Sequence, residues 1–93
     1  MSPPPSWVRR GELDDWYVAG DRSAVMVGGQ VLLLSELATT VVELVGEDGL
    51  ALDSLAGELT RRFGAPQGKG AVESTAEAVQ VLVREGVLVS ETS

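Results

Sequence analysis

The stretch SAVMVGGQVLLLSE, residues 23–36, decides the fold. Two β-rich runs, AVMV (24–27) and QVLLL (30–34), flank Gly28-Gly29. Two adjacent residues that tolerate positive φ are what a tight type I′ or II′ hairpin requires, so a β-hairpin is expected here. At Ser35 the period changes from two to about 3.6. Ser35 can cap a helix, and Glu36 suits the positive end of its dipole.

Working toward the C-terminus, Leu37, Val41, Leu44 and Val45 form one apolar stripe, which Gly46 ends. After the turn Glu47-Asp48-Gly49, a second amphipathic helix is expected through Leu52, Leu55, Leu59 and Phe63. Gly64 and Pro66 stop it. Gly57 inside this helix costs up to ~1 kcal/mol against alanine, which suggests either a close helix–helix approach or a tolerated defect. Beyond the loop PQGKG, a third helix is expected from about 72 to 85 with Val79, Leu82 and Val83 inward, and VLV (87–89) reads as a short final strand.

Toward the N-terminus, WVRR (7–10) and WYVAG (16–20) read as strands or extended arms. Trp7, Trp16 and Tyr17 are expected to cover one end of the core, or one of them to line a partner surface. MSPPPS (1–6) lacks three successive backbone donors and reads as a disordered tail. The expected organisation is one domain over 7–89, with a short tail over 90–93. The fold class is α+β: a small N-terminal antiparallel sheet followed by three α-helices, in a winged helix-turn-helix-like outline.

Composition excludes several functions. The 93 residues contain no cysteine and no histidine, which removes disulfides, thiolate chemistry, the usual general base and most transition-metal sites. The net charge is −7. Residues 1–35 carry three bases and four acids, and residues 36–93 carry four bases and ten acids, so the helical part holds −6 of that total. Such a surface repels DNA phosphates and anionic membranes, and neither nucleic acid nor membrane is expected as a partner. No signal-like segment opens the chain and no apolar run approaches ~18 residues, so the expected location is the cytoplasm.

Motifs with catalytic meaning fail on spacing. Asp14-Asp15, Asp21 and Glu47-Asp48 match no EF-hand loop. GAPQGKG has Phe63 and Gly70 where a phosphate loop needs glycine and a hydroxyl. Ser54 and Ser74 have no histidine to activate them. No metal, cofactor or enzymatic activity is expected. The pairs Arg9-Arg10 and Arg61-Arg62 read as solvated faces, too sparse for a nucleic-acid footprint.

The third helix carries an apolar flank beside its core stripe. At about 100° per residue with Thr75 at zero, Val79 lies near 40° and Leu82 near 340°. Ala78, Ser74 and Val81 fall at roughly 300°, 260° and 240°. Small residues at 74 and 78 beside an out-of-register valine leave room for a ligand side chain, or else this flank packs under the N-terminal tryptophan region.

The run from Gln30 to Gly64, with TAEAVQVLVREGVLV (75–89), resembles the PqqD-like domain, also called the RiPP recognition element. The similarity covers roughly residues 24–89. It lies in Leu34-Ser35 before an apolar helix, the acidic turn Gly46 to Gly49, Leu59 with Phe63-Gly64, and Leu82 with Gly86-Val87. The chain departs from that pattern at Ser35, Ala51 and Ser74, where the family often has Asn, a Ser or Thr cap, and Asp. The resemblance implies a non-catalytic adaptor that binds the leader of a ribosomally made precursor peptide. It would present that leader to a modifying enzyme, such as a radical enzyme or a leader protease. The leader would add as a strand beside Gln30, Val31, Leu32, Leu33 and Leu34 and lie against the third helix at Ser74, Ala78 and Val81. Strand addition fits an open edge, whose main-chain groups need partners. The same edge could instead pair with a second copy of the chain. The rival reading is a winged-helix DNA-binding regulator.

Overall fold

The computed structural model describes residues 7–68 and 70–91. The tail over 1–6, Lys69 of the PQGKG loop and residues 92–93 lie outside them. The elements run β1 (Trp7–Arg10), β2 (Asp15–Ala19), β3 (Arg22–Val27), β4 (Gln30–Leu34), α1 (Glu36–Val45), β5 (Leu50–Ala51), α2 (Leu52–Phe63), α3 (Ala71–Arg84) and β6 (Leu88–Glu91).

The hairpin forms where the glycines require it. Gly28 and Gly29 have φ of 57° and 80°, the two positive values of a type I′ turn. Val27 pairs with Gln30, and the register continues to Ser23 opposite Leu34. β2 pairs with the other side of β3, giving a three-stranded sheet of order β2-β3-β4.

One small N-terminal sheet was expected, but the described chain builds two. β1 does not join the hairpin. It pairs with β6, Trp7 opposite Glu91 through Arg10 opposite Leu88, and with the two-residue β5 on its other side. The fold is therefore α+β with two three-stranded antiparallel sheets and three helices. The last strand continues through Glu91, two residues past the expected end of the domain.

The core lies between the helices and the inner faces of both sheets. Val8, Val25, Val41, Val42, Leu55, Val79, Val87 and Leu88 are almost completely buried. Each such side chain contributes roughly 1.5–3 kcal/mol of burial free energy before its entropic cost. Ser35 caps α1 as expected, its Oγ accepting from the Ala38 N–H at 3.2 Å. α2 and α3 start at Ala51 and Gly70 without a side-chain cap.

Three readings of individual residues change. Gly57 is exposed, and a Cβ there would meet nothing within 4 Å, so no close helix approach accounts for it. Arg10 is not a solvated cation. Its guanidinium sits 4.5 Å from the Trp16 ring centroid and donates to the Val42 carbonyl at 3.3 Å, which ties β1 to β2 and α1. The aromatic residues divide: Trp16 packs against the core, while Trp7 and Tyr17 are exposed.

Candidate functional site

β4 is an edge strand. Among the described residues it pairs only with β3, so one side of its main chain has no strand partner. Which groups face outward follows from the turn. In a two-residue hairpin the flanking pair exchanges hydrogen bonds, and the pattern alternates from there. Val27–Gln30, Val25–Leu32 and Ser23–Leu34 are then the bonded pairs. An independent contact agrees: the Met26 carbonyl accepts from the Asp14 N–H at 2.7 Å, on the β2 side and away from β4. Opposite Met26 and Ala24, the N–H and C=O groups of Val31 and Leu33 therefore point to the open edge.

Natural edges are usually blunted by charge, proline or a bulge. Gln30–Leu34 carries no charge and no proline. Its side chains alternate. Leu32 is half-buried and Leu34 buried, so their side chains belong to the core face while their main-chain groups pair with β3, and these two have nothing to offer a ligand at the open edge. Val31 and Leu33 are 60% and 85% exposed.

The end of β4 leads into a cleft. Leu37, three residues beyond Leu34, lines a cavity of about 240 Å³ with Leu59, Phe63, Pro66, Ser74 and Ala78. Its wall is mostly apolar side chains from α1, the C-terminal turn of α2 and the first half of α3. Ser74 and Ala78 are half-buried there beside Thr75, which is buried but also lines the cavity, while Val79 and Leu82 behind them are buried. The expected flank of α3 thus stands beside its core stripe. Val81 continues that flank and is 51% exposed, but it lies outside the cleft lining.

Leu37 and Phe63 are the residues that periodicity misplaced. Both fit the apolar stripes of their helices, yet both are exposed and line the cleft. Thr39 and Val42 occupy the core positions instead. Phe63 sits next to Gly64, which ends α2, so the ring falls at the open end of the helix pair rather than between helices. That location was the available signal.

No group of three or more acidic, cysteine or histidine side chains is placed to hold a metal ion among the described residues. No described helix is long and apolar enough to cross a membrane. The chain matches no protein-family model, no curated protein and no solved structure.

Proposed function

We propose that this protein is a non-catalytic peptide-binding adaptor that takes up a precursor's leader as an added strand on β4 and presents it to a modifying enzyme. The observation that carries this reading is the unblunted edge at Val31 and Leu33, in a strand that ends three residues before Leu37 of the apolar cleft. Main-chain groups on such an edge accept a strand of almost any sequence, and the cleft supplies selectivity for alternate side chains. A strand paired to β4 turns every second side chain toward the inner face, where Leu37, Phe63, Ser74 and Ala78 offer contact.

Charge separates this reading from a DNA-binding regulator. α3 would have to enter a phosphate-lined groove while carrying Glu73, Glu77 and the neighbouring Glu85 against Arg84 alone. The reading is tested by titrating the protein with synthetic leaders from short open reading frames that neighbour its gene. Saturable one-to-one binding of one such peptide is the expected result. If none binds while a duplex does, with an affinity that falls as salt rises, the protein is a regulator.

A further inference from the structure

We propose that the outer face of the β2-β3-β4 sheet is a self-association surface, covered by the same face of a second copy of this chain. This surface is distinct from the main-chain edge of β4 and from the cleft between the helices.

Two rows of side chains cross the outer face. Tyr17, Ala24 and Leu33 form one, in direct register; Asp15, Met26 and Val31 form the next. Tyr17 is 71% exposed and Met26 43%, joining Val31 and Leu33 in one apolar area. A three-stranded antiparallel sheet with one covered face usually shows polar side chains on the other. Among the described residues the only charges on this face are Asp15 and Arg22, and they stand at opposite ends of it. Arg22 lies four residues from Met26 along β3, roughly 13 Å, and Met26 is the partner of Asp15.

That placement is self-complementary. Sheets pack face to face with strands within about 30° of each other. A two-fold axis across the strands at the Tyr17–Ala24–Leu33 row then lays this row on its own copy. It also brings Asp15 of each chain opposite Ala19 of the other, beside that chain's Arg22. The Tyr17–Ala24–Leu33 row meets itself in the middle, Met26 of each chain lies over the Arg22 side chain of the other, and two Asp15–Arg22 ion pairs close the ends. Among the described residues neither Asp15 nor Arg22 makes a salt bridge. The face is three strands by five residues, roughly 14 by 17 Å, so the dimer is small and weak. The −7 charge of each copy opposes it, but screening over about 8 Å at physiological salt confines that cost.

Sedimentation equilibrium from about 10 µM to 1 mM, the range of small interfaces, tests this on the intact chain and five variants. Circular dichroism confirms that each variant is folded. The wild type should approach twice the monomer mass with concentration, and Tyr17→Asp should weaken this by at least about tenfold. Asp15→Arg and Arg22→Asp should each weaken it, and the double exchange should restore it. The first of these raises the net charge from −7 to −5, so tighter association of Asp15→Arg would show that total charge governs and overturn the proposal. A monomer throughout would overturn it. So would a dimer indifferent to Tyr17→Asp but lost in Leu33→Pro, which would place the contact at the strand edge.

Discussion

The Ser23 hydroxyl lies 2.9 Å from the Thr39 hydroxyl, both buried, and this pair ties the edge sheet to the first helix. Ser23 is the register partner of Leu34, and Thr39 Oγ1 also reaches the Leu34 carbonyl at 3.5 Å. With the Thr39 proton directed there, Ser23 is the donor to Thr39. The contact holds the end of β4 at the point where the chain enters α1 and the cleft begins. Thr39→Val should therefore destabilise the protein by ~1–3 kcal/mol, since it strands a buried hydroxyl. Ser23→Ala with Thr39→Val should recover much of the loss. Chemical denaturation of the four members of the cycle measures the coupling.

Gly57→Ala should stabilise the protein by about 0.5–1 kcal/mol. The position is mid-helix, exposed and free of neighbours for an added Cβ. Thermal melts would show the midpoint rising. A fall would mean that the glycine serves a contact absent from this structure.

Val81 lies on the α3 flank beyond the cleft lining, so Val81→Asp lowers leader affinity by more than ~1 kcal/mol only where the leader runs on past Ala78, and its half-exposed position means that the melting temperature should hardly move. Ala78→Phe should fill the cleft and block the peptide in a folded protein. Loss of stability in Val81→Asp would show that this side chain is needed by the core.

Much of the fold is local, and so it was legible. Gly28-Gly29, Ser35, Gly46 and Gly64 mark element boundaries through backbone and capping chemistry that acts within a few residues. The split into two sheets was not legible, because β1 pairs with β6 about eighty residues away and with a two-residue β5. Nothing near Trp7–Arg10 specifies those partners. For the site, the edge and the flank at Ser74 and Ala78 followed from alternation and helical angle. Leu37 and Phe63 did not, because an apolar residue on a helix stripe reads the same whether it faces a core or an open cleft.

Duplex DNA should not bind at physiological salt. Affinity for DNA comes largely from neutralised phosphates, and the helical part of the chain carries −6. Fluorescence anisotropy with a labelled duplex checks this, and submicromolar binding that weakens with salt would contradict it.

A peptide strand that pairs with the open edge of β4 depends on the Val31 and Leu33 main chain, and a proline scan read by calorimetry measures that dependence. Proline removes one N–H and is tolerated where that group faced solvent. Val31→Pro and Leu33→Pro remove edge-facing donors, so both proteins should fold as judged by thermal melts. Leu32→Pro and Leu34→Pro remove ladder donors to β3 and should fail to fold. Titrated with a cognate leader, the two folded variants should lose roughly 0.5–1.5 kcal/mol of binding free energy per hydrogen bond, plus the steric loss. Unchanged affinity in both Val31→Pro and Leu33→Pro would exclude strand addition at this edge.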